Sequence, residues 1–140
     1  MISTVYRYFL LLIVFFIQFH AIAQEVKVSV PEELANEQLE GYNNRDVDAF
    51  VRPYADDVMV FDFPNTLLYQ GKEEMKNLYG RMFSRTPDLH CHLVNRIVMG
   101  NTVIDHEEVT LKKGEKPMKA IAIYKIKGDK IAEVYFITEK

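Results

Sequence analysis

Asp62 is the carboxylate whose sequence neighbours most strongly suggest a catalytic role. The run from Val58 to Phe63 is β-branched and aromatic, so it predicts a strand that ends at Pro64, which has no backbone donor. Val58, Val60 and Asp62 share one face of this strand, and both faces are apolar enough to be covered. A buried acid of this kind is either a structural group held by hydrogen bonds or a general base. The sequence therefore makes Asp62 the candidate catalytic base.

His106 is the second candidate, as an acid or an orienting group. A tight turn at Gly100-Asn101 predicts a hairpin in which Asn95 faces His106 and Arg96 faces Asp105. The face with Asn95 and His106 is predicted to be the interior because it also carries the apolar side chains of Cys91, Leu93, Ile97, Met99 and Ile104. The alternatives are a core histidine held by Asn95, or a one-residue slip that turns Asp105 inward. In the preferred register, Arg96 and Asp105 form an ion pair on the outer surface.

Aromatic and small residues predict a cavity beside these groups. Ala120 and Ala122 leave room next to larger residues on neighbouring strands, and tyrosines supply amphipathic walls. The predicted substrate-binding residues are Tyr42, Tyr69, Asn95 and Tyr135.

The sequence predicts neither a metal site nor a cofactor. His90 and His92 share a strand face, but two ligands are too few for a metal, and no Gly-rich phosphate loop or nucleophile elbow is present. Cys91 is the single cysteine, so no internal disulfide can form, and it is predicted to be a small buried hydrophobe.

The N-terminus has the composition of an export signal. Arg7 precedes an apolar run from Tyr8 to Ile17, and Ala21-Ile22-Ala23 follows it. The run is about half the roughly 20 residues that a spanning helix needs. Residues 1–23 are therefore predicted to be a cleaved signal peptide of a secreted or periplasmic protein, with an uncleaved anchor as the alternative.

Length and charge limit the rest of the chain to one domain with small-molecule or protein partners. Of the 140 residues, 24–31 form a short lead and 32–140 a single domain. A formal net charge of −3 gives no support for binding nucleic acid or, after signal cleavage, a membrane.

The sequence predicts three helices, two before the first strand and one after it. Apolar spacing predicts helices from Val30 to Asn44, a short one capped by Asp46, and one from Lys72 that stops before Pro87. Between the first strand and the third helix, residues 65–71 are predicted to be an apolar loop. Four strands follow, at 90–99, 102–111, 119–127 and 130–138. This order predicts an α+β cone-shaped barrel, with three N-terminal helices packed on a curved, mostly antiparallel sheet.

The motifs resemble those of a known group. Tyr54-Ala55-Asp56-Asp57, the strand ending Phe61-Asp62-Phe63-Pro64, Gly71 before a helix, and the last two hairpins are similar to the SnoaL-like and ketosteroid isomerase-like branch of the nuclear transport factor 2-like superfamily. The resemblance spans roughly residues 32–136 and implies that Asp62 matches the general base of the isomerase. It also implies that Gln38 and Ala122 replace the tyrosine and aspartic acid of the oxyanion hole, so this chain lacks that hole.

Together these features predict that a small apolar molecule binds in a conical pocket, with acid/base chemistry of an isomerase or lyase type. The alternative is a non-catalytic ligand-binding or dimeric assembly domain. A homodimer is expected in either case, through an outer sheet surface carrying Val94, Val98, Val103, Val109 and Leu111.

Overall fold

Three helices form from the local signals that their sequences carry. A computed structural model describes residues 28–139 of the protein, and the predicted signal peptide lies outside the described residues. Helix α1 spans Val30–Asn44, α2 spans Val47–Val51, and α3 spans Lys72–Arg85. Acidic residues occupy the first turns of α1 and α3, and the Asp46 carboxylate accepts a 3.0 Å hydrogen bond from Ala49 N to cap α2. The three predicted helices are confirmed.

Helices α1 and α2 pack so closely that Gly41 is required between them. A Cβ added at Gly41 would lie 2.4 Å from the backbone nitrogen of Phe50. This close approach places the Phe50 ring in the core beside Tyr42, whose ring centroid is 6.0 Å away. Residues within the described region include no helix with the length and apolar character needed to cross a membrane.

Six strands form one mixed sheet that is not closed. Their bounds are β1 (Tyr54–Asp62), β2 (Thr66–Gln70), β3 (His90–Met99), β4 (Thr102–Thr110), β5 (Met118–Lys127) and β6 (Lys130–Thr138). The order across the sheet is β2-β1-β6-β5-β4-β3, with β1 and β6 parallel and the other neighbours antiparallel. The predicted α+β cone with a mostly antiparallel sheet is confirmed, although the sheet does not close into a barrel.

Strand β2 replaces the predicted loop at residues 65–71. It pairs with β1, so that Val60 faces Tyr69 and Asp62 faces Thr66. Leu67 and Leu68 remain 50% and 55% exposed on this edge strand. The apolar residues of this segment therefore belong to a strand paired with β1, and not to a loop folded over the interior.

A β-bulge at Val94 changes which side chains of β3 share a face. The predicted pairs Asn95–His106 and Arg96–Asp105 are confirmed, but Leu93 faces Glu107, so Val94 is one extra residue in β3. Because side chains alternate along a strand, this extra residue puts Leu93 and Arg96 on the same face. That face is the interior.

The inner faces of the sheet and helices share one core. It includes Leu34 and Ala35 of α1, Phe50, Met75 and Phe83 of the other helical segments, and Val58, Val60, Val103, Val109, Ile131 and Val134 of the sheet. The prediction that Val103 and Val109 lie on the outer surface is wrong, since they are 0% and 6% exposed.

Candidate functional site

A cavity of about 570 Å³ lies between the helices and the concave face of the sheet. Its rim carries the exposed side chains of Leu68, Leu111 and Met118, and its deep part carries the buried Gln38 and Tyr124. This volume is in the range of pockets that hold drug-sized molecules. The open end of the cone is therefore the candidate functional site.

Aromatic rings form most of one wall. Tyr42 contacts Phe83 edge-on at 5.5 Å and Tyr79 at 6.1 Å between ring centroids, and Phe50 lies 4.3 Å from Tyr79. Such mutually packed rings restrict one another's rotamers. The aromatic rings that line the cavity are Tyr42, Phe50, Tyr54, Tyr79, Tyr124 and Phe136.

Glu107 is the deeper of two carboxylates in the cavity wall. Its residue is 6% exposed, and it lies opposite the small Ala120 on β5, which leaves space beside it. Burial and then the charge of Asp105 raise the pKa of Glu107 from 4.5 to about 7, against the lowering effects of Tyr124 and Arg96. Glu107 can therefore both give and take a proton near neutral pH.

A hydrogen-bonded chain of buried polar groups holds Glu107. Tyr54 donates to Gln38 Oε1 at 3.3 Å, Gln38 Nε2 donates to the Tyr124 hydroxyl at 3.0 Å, and Tyr124 donates to Glu107 Oε1 at 3.3 Å. Burial raises the pKa of Tyr54 and Tyr124 well above the ordinary value, so both hydroxyls stay protonated. Gln38 thus occupies the position implied for the isomerase tyrosine but orients a different tyrosine.

A buried ion pair lies next to Glu107 on the same face. Arg96 Nε and Nη2 each lie 2.6 Å from an Asp105 carboxylate oxygen, with side chains 8% and 0% exposed. Arg96 also donates to the Asn36 side chain. The predicted pairing is confirmed and its predicted exposure is wrong. This bidentate contact fixes Asp105, so its charge acts on Glu107 from a constant position.

Asp62 is the second carboxylate, at the end of β1. It is half-buried, lines the cavity, and makes no side-chain hydrogen bond to any residue within 28–139. The alternative of a structural carboxylate held by hydrogen bonds is therefore not observed within residues 28–139. Asp62 faces the cavity with both oxygens free to contact a ligand.

The structure brings together only part of the predicted site. Tyr42 lines the cavity with Asp62, whereas the half-buried His106 lies on the outer face of β4, which alternates with the buried Asp105 and Glu107. The prediction that His106 faces the interior is wrong because of the bulge at Val94. The predicted acid or orienting position is occupied by Glu107 instead.

The other predicted binding residues lie outside the cavity. Asn95 is exposed on the outer face, and Tyr135 stacks on Phe61 there at 4.8 Å between ring centroids. Tyr69 packs against the core, where its hydroxyl is buried beside that of Tyr79 without a hydrogen bond of normal geometry. Asn95, Tyr69 and Tyr135 do not line the cavity, so the structure does not support their predicted role in substrate binding.

One sequence signal pointed to Glu107. The face of β4 that carries Asp105 and Glu107 begins and ends with Val103 and Val109, whereas the opposite face begins and ends with Thr102 and Thr110. The apolar ends favour the first face as the interior. Within residues 28–139, no three His, Cys, Asp or Glu side chains are grouped so that they could hold a metal ion.

An open sheet covered by three helices, with a cavity at the open end, defines the nuclear transport factor 2-like class of α+β cones. The model of the SnoaL-like domain family matches residues 35–134, so the chain belongs to the SnoaL-like domain family. No curated protein matches the sequence significantly.

Solved structures of this class superimpose on most of the chain. An uncharacterized cystatin-fold protein from Novosphingobium aromaticivorans is 28% identical, with a TM-score of 0.71 over 79% of this chain and 98% of that one. An LEH-like epoxide hydrolase from M. tuberculosis is 14% identical, with a TM-score of 0.67 over 79% and 83% of the two chains. A candidate ketosteroid isomerase from Kribbella flavida is 17% identical, with a TM-score of 0.64 over 79% and 78%. Because the epoxide hydrolase and the candidate isomerase are only 14% and 17% identical to this chain, their similarity shows a shared fold and nothing more.

Proposed function

We propose that the cavity binds a small, largely apolar molecule and moves a proton on it. The observation that carries this proposal is the pair of carboxylates, Asp62 and Glu107, in a cavity of about 570 Å³ whose other walls are mainly apolar and aromatic. Asp62 is the base, and Glu107 takes the acid or orienting role that the sequence assigned to His106. The structural neighbours named as an epoxide hydrolase and a candidate isomerase support a reaction of this general kind.

The division of labour follows from the two environments. Asp62 lines the cavity and its carboxylate makes no side-chain hydrogen bond within residues 28–139, so its oxygens are available to a proton on a bound molecule. Glu107 lies deeper, with Oε1 held by Tyr124 and a pKa of about 7. Two carboxylates in different environments can hold different protonation states at one pH, as acid/base chemistry requires.

A probe reaction tests this proposal without knowledge of the natural substrate. 5-Nitrobenzisoxazole loses one carbon-bound proton to a base, its N–O bond breaks, and a coloured cyanophenolate forms. The protein should accelerate this reaction, and Asp62→Asn should reduce the rate by about 100-fold or more, the usual contribution of a positioned base.

Matched controls separate the site from the rest of the surface. Asp57→Asn, at an exposed position on the same strand, and Glu108→Gln, next to Glu107 on the outer face, should retain the wild-type rate. A wild-type rate in Asp62→Asn would remove Asp62 from the mechanism. A protein that neither binds nor turns over small apolar probes would contradict the proposed function as a whole.

We also propose a homodimer, formed by a different set of residues from the one predicted. The register places the outward-facing side chains of Ile97, Ile104, Ile123, Tyr135 and Phe61 in one row across five strands. Ile97 is 51% exposed and the nearby Ile137 is 41% exposed. An apolar row of this length on an open sheet supports a self-complementary interface.

Export is the remaining proposal, since the signal segment lies outside the described residues. If residues 1–23 are removed, the intact mass of the protein recovered from periplasm or medium should correspond to a chain that starts at Gln24. A mass that includes the full N-terminus would support the uncleaved anchor instead.

A further inference from the structure

The cavity wall carries negative charge without a compensating cation. Asp62 and Glu107 are its charged residues, and no Lys, Arg or His of the described chain lines it. Arg96, the nearest guanidinium to Glu107 on the sheet, is bound at both ends of its fork by Asp105. The field inside the cavity therefore disfavours an anionic ligand and favours a cationic one.

Glu107 also has an unused acceptor that faces this space. Oε1 accepts the Tyr124 hydroxyl, whereas Oε2 makes no hydrogen bond to residues 28–139, although the residue is only 6% exposed. A carboxylate this deeply buried costs free energy unless its charge is paired. Oε2 is not one of the fully buried side-chain atoms left without a partner in residues 28–139, so it is open to the cavity, where a bound cation can pair with it.

The aromatic wall supplies the second element of a cation site. The rings of Tyr42, Phe50 and Tyr79 form one packed cluster that lines the same cavity as Glu107. The faces of such rings attract a cation within about 6 Å, and the attraction is largest where water is excluded. A carboxylate beside packed tyrosines is the arrangement that recognises ammonium groups.

We propose that the ligand carries a cationic nitrogen, as a quaternary or protonated amine on an apolar body, and that this group lies between Glu107 Oε2 and the aromatic wall. This inference rests on the proposed function, because it names the ligand class of the same cavity. It also assigns the roles of the two acids. Ion pairing keeps Glu107 as a carboxylate that orients the ligand, which leaves Asp62 to take the proton.

Glu107 is the group in this part of the cavity whose charge changes near neutral pH, because the groups around it do not titrate there. The titratable and charged groups around it are Tyr42 from α1, Tyr54 from β1, Tyr79 from α3, Cys91 and Arg96 from β3, Asp105 on β4 and Tyr124 from β5. Burial raises the pKa of all four tyrosines and of Cys91 far above neutrality. A change in ligand binding between pH 6 and pH 8 therefore follows the charge of Glu107.

Two probes of the same shape test the inference. 4-(Trimethylammonio)benzyl alcohol and 4-tert-butylbenzyl alcohol have the same shape, and neither titrates between pH 6 and pH 8. The first carries a cationic nitrogen where the second carries a neutral carbon, and their binding can be compared by NMR titration at pH 6 and pH 8. The cation should bind about tenfold or more tightly at pH 8. Its preference should shrink several-fold at pH 6, where Glu107 is protonated. Glu107→Gln should abolish the preference, and Glu108→Gln should retain it.

The outcomes separate this inference from the proposed function. Equal or tighter binding of 4-tert-butylbenzyl alcohol, above all if it strengthens at pH 6, would overturn the cationic ligand and indicate a hydrogen-bond acceptor held by protonated Glu107. Failure of both probes to bind would contradict the small-molecule cavity itself. The pH dependence of binding to the wild-type protein shows by itself whether the cavity prefers a cation. The test therefore remains valid even if Glu107→Gln does not fold.

Discussion

Glu107 and Asp105 show how the same chemical group acquires two roles on one strand face. Asp105 is 0% exposed and held by two oxygens in the fork of Arg96, so it is a fixed structural charge. Glu107, two residues further on, keeps one oxygen free and faces a cavity. The difference comes from their partners, since only Asp105 forms an ion pair with Arg96.

The raised pKa of Glu107 should make the protein less stable as the pH rises. The folded protein, with a pKa of about 7, holds the proton more tightly than an unfolded chain with a pKa of 4.5. The resulting stability is present below pH 4.5 and is lost as the pH rises through 7, by about 3 kcal/mol at about 1.4 kcal/mol per pH unit. Urea unfolding from pH 4.5 to pH 8 should therefore show about 3 kcal/mol more loss for wild type than for Glu107→Gln. Parallel curves for the two proteins would argue against a desolvated Glu107.

Tyr124→Phe should raise the pKa of Glu107 further. The tyrosine hydroxyl donates to Glu107 Oε1 and thereby stabilises the ionised form, which phenylalanine cannot do. Carboxyl NMR titration of the variant should give a pKa above the wild-type value. A pKa that falls on this substitution would mean that Tyr124 does not donate to Glu107.

Strand β3 is the element whose pairing was predicted correctly from the sequence but whose inner and outer faces were not. Turn chemistry gave the hairpin and the Arg96–Asp105 and Asn95–His106 pairs correctly, because a two-residue turn fixes the register next to it. The bulge at Val94 has no such local signature, since β-branched Val94 fits a regular strand equally well. The residues of β3 between the turn and the bulge were therefore assigned to the wrong face, and so were those of β4, including His106 and Glu107. Cys91 and Leu93, on the other side of the bulge, were correctly assigned to the interior.

The first strand and the helices were predictable for a different reason. Val58, Val60 and Asp62 share the inner face as the alternation predicts, because the pairing with β6 is regular from Met59 to Asp62. Strand β2 was missed because its residues are half-exposed on a sheet edge, and a short apolar segment before Gly71 does not distinguish a strand from a loop.

The buried ion pair of β3 and β4 gives a direct test of the bulge. Arg96→Met leaves the Asp105 carboxylate buried without its partner, so it should lower the free energy of unfolding by about 3 to 5 kcal/mol. The double variant Arg96→Met/Asp105→Leu should recover most of this loss, because it removes the uncompensated charge. Urea unfolding measures both effects. A loss below about 1 kcal/mol in the single variant would indicate an exposed pair, as a regular strand would have produced.

The open sheet has a cavity on one face and an apolar row on the other. The concave face and the helices enclose the cavity, while the convex face carries the apolar row from Ile97 to Phe61. The resemblance in sequence was sufficient to predict the cone, and the match to the family over residues 35–134 confirms it. The fold alone does not specify the reaction, which depends on the residues at the open end.

The convex face predicts a dimer in solution. Sedimentation velocity at micromolar concentration should give the mass of two chains, and Ile97→Lys should shift it toward one chain, because the charge would be buried in the interface. Lys119→Ala, which removes a charge elsewhere on the sheet, serves as the control and should remain dimeric. A wild-type protein that sediments as a monomer would contradict the proposed interface.

Carboxyl NMR titration of Glu107 in the ligand-free protein distinguishes a desolvated carboxyl group from a hydrated one. We expect a pKa of about 7 for this group, assigned by the loss of its signal in Glu107→Gln. We also expect 4-(trimethylammonio)benzyl alcohol to lower this pKa, because the cation stabilises the carboxylate. A Glu107 carboxyl that titrates at its ordinary value of 4.5 would show that it is hydrated, and would contradict acid/base or cation-binding chemistry in the cavity.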